Sequence, residues 1–170
     1  MKAIIHSTQE ALAFQLQGLR YIESKVSGEL KHYIDQITSN KVKNEINEYA
    51  ADTESKLLKL ERIFDYLMYE PLNRKNEVVS KILAETYQLL SYKSSSHLKD
   101  VLIVSCIQNI NAYKISVYRT AYLFALAIDL DSVIDLLQQI RESELETETV
   151  LATLAIEEFN EVEPAFSPVC

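Results

Sequence analysis

Residues 103–128 have the sequence IVSCIQNINAYKISVYRTAYLFALAI, and this stretch decides the fold. Its apolar residues recur at intervals of four and three, which is the spacing of the buried stripe of a helix in a bundle. The whole chain of 170 residues contains only two glycines and three prolines. Because β and α/β folds need many turns built from glycine and proline, this scarcity excludes them. The sequence therefore predicts an all-α protein made of a few long helices.

The same spacing continues along the rest of the chain and predicts five helices. The breaks between them are marked by Pro71 within residues 70–73, by the serines of residues 94–96 and by residues 129–132. Ser96 is the expected N-cap of the fourth helix. The predicted helices cover roughly residues 8–38, 42–69, 75–92, 97–129 and 132–160.

Short connections make successive helices antiparallel, so the predicted architecture is an antiparallel four-helix bundle. One additional short helix accompanies the bundle, and it is either the third helix or a piece created by the break at residues 129–132. A single domain is expected over residues 1–160. An irregular tail, which contains Pro164 and Pro168, is expected over residues 161–170.

The composition excludes several classes of partner. A net charge of −8 disfavours nucleic acid, because phosphate binding needs clustered lysine and arginine. No apolar run approaches the roughly 18 residues of a membrane span, and none near the start is long enough for a signal peptide. Cys106 and Cys170 do not form a disulfide framework, so we expect a cytoplasmic protein. Gly18 and Gly28 fall inside helices and are expected to permit close helix approach.

Charged residues interrupt the apolar stripes of four helices. Glu23, Glu85, Lys114 and Glu144 each occupy a stripe position, and Asp52 lies at the edge of the stripe of the second helix. A carboxylate in a dry core costs several kcal/mol unless it is paired or bound to metal. One such residue can be a stripe that drifts to the surface near a helix end. Four of them, near the middle of four helices, indicate that the charges meet in the interior.

Carboxylates that project inward from several helices are the means by which ferritin-like bundles hold two iron or manganese ions. The usual ligand set also includes two histidines. Here His6, His32 and His97 fall off the stripes, so we expect them at the surface. Lys114 would instead place an ammonium among the carboxylates, where it supplies the positive charge of a metal. Its alternative is to extend along the apolar surface with its amino group in water.

The second helix carries a pattern of residues that resembles a known family. It contains Tyr49-x-x-Asp52-Thr53, then Lys56, then Lys59-Leu60-Glu61-Arg62-Ile63-Phe64. The YciE/YciF-like stress-associated family has His-x-x-Glu-Thr, then Gln, then Arg-Leu-Glu-x-Ile-Phe in the same order and spacing. The chain is similar to this family in register, with Tyr49 in place of the histidine and Asp52 in place of the glutamate.

The other four helices extend the resemblance, which covers roughly residues 8–157. Tyr21-Ile22-Glu23 and Glu85 match the family's first and third helices. In the fourth helix, Asn111-Ala112-Tyr113-Lys114-Ile115 stands where the family has Glu-His-Tyr-Glu-Ile. In the fifth, Arg141-Glu142-Ser143-Glu144 stands where it has Leu-x-Glu-Glu, so Ser143 replaces one acid.

The resemblance implies a ferritin-like bundle that is often dimeric and loosely associated with stress responses. It also implies a former metal site, from which the residues at positions 49, 111, 114 and 143 remove or oppose a ligand. The positions that the resemblance and the stripes assign to this interior polar cluster are Glu23, Tyr49, Asp52, Glu85, Asn111, Lys114 and Glu144.

The leading hypothesis is a non-enzymatic, metal-free, ferritin-like protein that has no cofactor and acts through protein contacts. We expect a homodimer, with Tyr118, Tyr122 and Phe124 as an apolar edge. The main alternative is an active dinuclear iron or manganese protein, an oxidase or a handler of peroxide or iron. It would use Glu23, Asp52, Glu85 and Glu144, with Tyr49 nearby. A helical protein-interaction module is a third possibility.

Overall fold

A computed structural model describes residues 4–162, and all the regular secondary structure in this range is helical. The prediction of an all-α protein with five helices is confirmed, with helix ends within about one turn of those predicted. Glu161 and Val162, which the sequence analysis placed in the tail, belong to the last helix; residues 163–170 lie outside the described range. The helices are α1 (Thr8–Ile34), α2 (Asn40–Leu67), α3 (Glu77–Ser91), α4 (Ser96–Ala127) and α5 (Asp131–Val162).

Local sequence explains where these helices begin and end. Four of them start after a residue whose side-chain oxygen accepts a hydrogen bond from a backbone N–H of the first turn. Ser95 fills this role in α4, one residue before the predicted Ser96. Met68 and Asp129 end α2 and α4 in left-handed conformations, with φ of 55° and 54°. The four N-caps are Ser7, Ser39, Asn76 and Ser95.

The four long helices form a ring in which α1, α2, α5 and α4 follow one another. Each is antiparallel to both neighbours, because contacts join the start of one helix to the end of the next. For α1 and α2, Gln9 donates a hydrogen bond to the Leu67 carbonyl. For α2 and α5, Lys41 pairs with Glu157. The remaining helix, α3, packs on the outside of α4, so the accessory helix is the third. No helix among the described residues is long and apolar enough to cross a bilayer.

The buried stripes of α2 and α4 differ from the prediction by one residue over part of their length. In α2 the interior positions are Tyr49 and Lys56. A strict alternation of four and three from Ile46 predicts Ala50 and Leu57 instead, and these are only half-buried. In α4 a step of four after Lys114 makes Tyr118 the next buried residue. A helix has about 3.6 residues per turn, so a strict alternation of four and three drifts off the true core face.

In α3 the predicted stripe is wrong. Glu85 is exposed, and so are its stripe neighbours Val78 and Leu89. The buried positions are those one residue further along, at Val79, Leu83, Thr86 and Leu90. Both stripes have helical spacing, and only the second contains no charge. Because burial of Glu85 would cost free energy without a partner, the uncharged stripe faces α4.

A buried carboxylate holds the turn between α1 and α2. Asp100, on the second turn of α4, is fully buried. Its two oxygens accept hydrogen bonds from the backbone N–H groups of Thr38 and Ser39 and from the Thr38 hydroxyl, at 2.8–3.2 Å. Ser39 also donates through its hydroxyl to Glu158 of α5 at 2.9 Å. These contacts fix one end of the bundle.

Asp100→Asn is therefore expected to lower the free energy of unfolding by about 1–2 kcal/mol, because an amide nitrogen replaces one accepting oxygen. Chemical denaturation followed by circular dichroism measures this change. Asp65→Asn, at an exposed position of α2, is the control and should leave stability unchanged. Equal stability of both variants and the parent would contradict the role assigned to Asp100.

Only Gly18 permits a close approach, and the group that approaches it is a side chain rather than a helix. A Cβ on Gly18 would lie 2.5 Å from an Nη atom of Arg74, which belongs to the connection between α2 and α3. The Arg74 guanidinium stacks on Phe14 of α1, with its central carbon 3.8 Å from the ring centroid. At Gly28 nothing lies within 4 Å of such a Cβ, so the expectation of a close approach there is wrong.

Candidate functional site

Polar side chains from all four long helices meet at the centre of the ring. We call this group the interior cluster. The side chains of its two lysines and of two of its three acids are fully buried, and the third acid, Asp52, is half-buried at the edge. Its members are Glu23 of α1; Tyr49, Asp52 and Lys56 of α2; Asn111, Lys114 and Tyr118 of α4; and Ser143 and Glu144 of α5.

Five charges of the interior cluster form a chain of alternating sign. Lys114 Nζ lies 2.9 Å from Glu23 Oε2 and 2.8 Å from Glu144 Oε1. Lys56 Nζ lies 2.8 Å from the same Glu144 oxygen, and it also pairs with Asp52 Oδ2. The order is therefore Glu23, Lys114, Glu144, Lys56, Asp52, and it crosses the bundle from α1 to the α2–α5 surface.

Hydrogen bonds orient the ends of this chain. The Tyr118 hydroxyl donates to Glu23 Oε1 at 2.8 Å, and the Ser143 hydroxyl donates to Asp52 Oδ2 at 2.8 Å. Tyr49 lies between the two ammonium groups: Lys114 Nζ donates to its hydroxyl oxygen at 3.3 Å. The Nζ atoms of Lys114 and Lys56 are 5.1 and 5.8 Å from the centroid of its ring, within the range of cation–π attraction.

Asn111 is the remaining member of the interior cluster. The cluster contains more hydrogen-bond acceptors than its donors can satisfy. The Asn111 amide donates to the backbone carbonyl of Glu144 at 3.1 Å, a group that lies within α5. Within the described range, Glu144 Oε2 and Asn111 Oδ1 have no hydrogen-bond partner. Three carboxylates facing two ammoniums leave such an excess, and each unsatisfied acceptor costs free energy.

The protonation equilibria follow from burial and from these pairings. Burial raises the pKa of Glu23, and repulsion from Glu144 adds to this, whereas attraction to Lys114 opposes it. Burial alone would lower the pKa of Lys114, but Glu144 and Glu23 outweigh it and hold that pKa well above its usual value. Burial also favours the neutral form of Asp52, yet Lys56 and Ser143 hold its pKa below the usual range. Lys114 therefore remains an ammonium, and the pKa values of Glu23 and Asp52 are shifted in opposite directions, upward for Glu23 and downward for Asp52.

A cleft between α2 and α5 reaches only one end of the interior cluster. It has a volume of about 270 Å³, and Tyr49, Asp52 and Ser143 are among the residues that line it. Glu45, Glu48 and Glu146 also line it. Solvent thus reaches the Asp52 end, while Glu23 and Lys114 are sealed within the helices. In residues 4–162, no group of three His, Cys, Asp or Glu side chains is placed to hold a metal ion.

Comparison with known proteins now identifies the family. Residues 7–162 match the family described as "Domain of unknown function (DUF892)". The chain belongs to this family. The predicted resemblance to YciE/YciF-like proteins is also confirmed, because the E. coli stress protein YciF is among the similar structures. No curated protein matches the chain.

Several solved structures have the same fold as this DUF892 chain and match it over nearly its whole length. YcfI from Rhodopseudomonas palustris is 20% identical, with a TM-score of 0.85 over 90% of this chain and 98% of its own. YciF is 15% identical, with a TM-score of 0.86 over 92% of this chain and 99% of its own. A protein from Xanthomonas campestris is 18% identical, with a TM-score of 0.72 over 94% and 100%. At these identities the similarity shows the fold alone.

The structure brings together all but one of the cluster residues that the sequence indicated. Glu85 of this DUF892 chain is the exception, since it is exposed on α3. His6, His32 and His97 are exposed, as predicted. Three cluster members were not in the predicted set, and one of them, Ser143, was noted only as the replacement of an acid. Lys56 was noted only as a departure from the family pattern, and Tyr118 was assigned to an exposed edge but is fully buried. The sequence contained a signal for Lys56. Positions 46, 49, 53, 56 and 60 are separated by steps of three, four, three and four, so Lys56 continues a helical stripe.

Proposed function

We propose that this DUF892 protein is a metal-free, non-enzymatic, ferritin-like bundle in which the interior cluster has a structural role. The observation that carries the proposal is that one carboxylate, Glu144, lies between two ammonium groups at 2.8 Å each. In ferritin-like bundles two metal ions supply the positive charge between inward-facing carboxylates. Here two lysines of the chain supply it.

The lysines also oppose metal binding. A divalent ion at Glu23 or Glu144 would have to displace Lys114 or take its proton. Because the pKa of Lys114 is held well above its usual value, loss of that proton is costly near neutral pH. Lys56 is likewise fully buried against Glu144 and Asp52. Histidine is the ligand that suits iron. Tyr49 stands in place of the family's histidine in α2, and residues 111–115, around Lys114, contain no histidine.

Protein contacts are then the remaining route to function. We place the protein in the cytoplasm as a homodimer, and the similarity to the E. coli stress protein YciF supports an association with stress responses. The edge first expected to form the dimer needs correction. Tyr118 is buried within the cluster, and Tyr122 and Phe124 are half-buried. We therefore assign dimer formation to a different surface.

Elemental analysis tests the proposal directly. Protein purified without a metal-affinity tag is expected to contain iron and manganese well below one ion per chain. Calorimetric titration of the parent with Mn²⁺ should show no specific binding. Stoichiometric metal, close to the two ions of a dinuclear site, would support instead an oxidase or a protein that handles peroxide or iron.

Lys114→Glu provides the complementary prediction. It removes one ammonium and adds a carboxylate at the position where the family has an acid, so Mn²⁺ or Fe²⁺ should bind measurably. Lys31→Glu is the matched control, because this exposed residue of α1 undergoes the same change of charge far from the cluster. Binding by both variants, or by the parent, would contradict the view that Lys114 occupies the place of a metal cation.

A further inference from the structure

The exposed face of α3 has the pattern of a helix that packs against another helix. Val78 and Leu89 are 46% and 40% exposed, and Ile82, between them, is half-buried. With Glu85, these residues have the spacing of four, three and four that is typical of a packing stripe. We call Val78, Ile82, Glu85 and Leu89 the outer stripe of α3. Within the described part of the chain no helix covers it.

The outer stripe is separate from the stripe that attaches α3 to the bundle. The buried residues, such as Val79 and Leu83, lie one position further along, about 100° around the helix. The helix packs principally on α4 through that inner stripe. It therefore has two apolar faces but, among the described residues, only one major packing partner, and the second face exposes large aliphatic side chains to solvent.

Two charges on this face suit a second copy of the same helix. Lys81 and Glu85 are exposed and lie one turn apart on α3. Neither forms an ion pair within residues 4–162. If two α3 helices ran parallel, each residue would face its own kind and the charges would repel. If they run antiparallel around a two-fold axis, Lys81 of each copy approaches Glu85 of the other.

The apolar residues agree with the same alignment. An antiparallel register that places Lys81 near Glu85 of the other copy also places Val78 near Leu89, twice by symmetry. Beside the stripe, a cavity of about 280 Å³ opens between α3 and α4, with Ile82, Leu89 and Leu102 in its lining. Such a cavity can receive a side chain from a helix packed against the stripe, as a knob enters a hole.

We propose that the outer stripe of α3 is the homodimer interface, occupied by the antiparallel α3 of a second copy. This rests on the homodimer of the proposed function and assigns it to a particular surface. The self-complementary order of apolar and charged residues is what favours a second copy over a different partner.

Charge exchange tests the interface, with sedimentation velocity as the readout. Lys81→Glu and Glu85→Lys each turn two attractive pairs into two repulsive ones, so each should raise the dimer dissociation constant at least about tenfold. The double variant, Lys81→Glu with Glu85→Lys, restores opposite charges and should recover the dissociation constant of the parent. Because both residues are exposed, circular dichroism should be unchanged. Lys93→Glu and Glu54→Lys are the controls, with the same charge changes at exposed positions outside α3.

The outcomes separate the interface from the other proposals. If the parent is dimeric and neither single change alters the dissociation constant, the α3 interface is overturned but the homodimer remains. A double variant as weak as the single ones would also overturn it. A parent that is monomeric at high micromolar concentration would reject both the interface and the homodimer. None of these results bears on the metal content, which is measured independently.

Discussion

Lys114→Met is expected to lower the free energy of unfolding by about 3–5 kcal/mol near neutral pH, the cost of breaking a buried ion pair from one side. Methionine preserves the apolar stem of the lysine and removes its charge. Glu23 and Glu144, each within 2.9 Å of the ammonium in the parent, would then share the interior with Lys56 as the one nearby cation in residues 4–162. A loss of this size is a large part of the stability of a typical domain.

The loss should become smaller on mild acidification. In the parent, burial and repulsion from Glu144 already raise the pKa of Glu23 while Lys114 lowers it. Without Lys114, the pKa of Glu23 rises further, so the folded variant takes up a proton more readily than the unfolded chain. A group whose folded pKa is raised makes the folded state more stable as the pH falls through that pKa. The difference in unfolding free energy between the parent and the variant therefore becomes smaller as the pH falls from neutral toward the ordinary carboxyl range.

Urea denaturation at about pH 7 and about pH 5, followed by circular dichroism, measures both effects. Lys31→Met is the control, because Lys31 is exposed on α1 and its replacement should change stability little. A Lys114→Met protein as stable as the parent, with the same pH profile, would contradict the assignment of Lys114 to a buried series of ion pairs. The metal-free proposal would then lose its main support.

The sequence predicted the fold more completely than the site, and the reason lies in the precision that each requires. Helix number and ends depend on features spread over many residues, such as the scarcity of glycine and proline. The site depends on the rotation of each helix to within one residue. Lys114 and Glu144 fell on stripes whose phase was correct, and they are buried together. Lys56 and Glu85 fell where the phase was wrong, so one was missed and the other was wrongly assigned to the interior.

The alternating ion pairs of the interior cluster specify the rotation of each helix, which the spacing of apolar residues leaves open. Each of the four long helices contributes at least one of its polar groups, so rotation of any helix by one residue would separate an ammonium from its carboxylate. Glu144 illustrates this, because Lys56 of α2 and Lys114 of α4 both contact its Oε1 atom. A buried ionic network adds little net stability compared with an apolar core, but breaking it from one side costs several kcal/mol. We infer that in this protein it fixes the register of the ring.

Glu144→Gln is expected to lower the free energy of unfolding by roughly 2–4 kcal/mol, less than Lys114→Met, because each lysine retains one carboxylate. Lys114 keeps Glu23, and Lys56 keeps Asp52. Glutamine has nearly the shape of glutamate, so the change removes charge with little change in packing. Three carboxylates and two ammoniums become two of each, which leaves the cluster neutral.

The pH dependence should have the opposite sign to that of Lys114→Met. Glu144 helps to raise the pKa of Glu23, so its loss lets Lys114 hold that pKa lower than in the parent. Because the folded pKa of Glu23 is higher in the parent than in the variant, the parent gains more stability than the variant as the pH falls. The deficit of Glu144→Gln relative to the parent should therefore grow between about pH 7 and about pH 5, while that of Lys114→Met shrinks. Glu142→Gln, at an exposed position of the same helix, is the control and should show neither effect. If both cluster variants change in the same direction with pH, the opposing effects assigned to Lys114 and Glu144 on the pKa of Glu23 are incorrect.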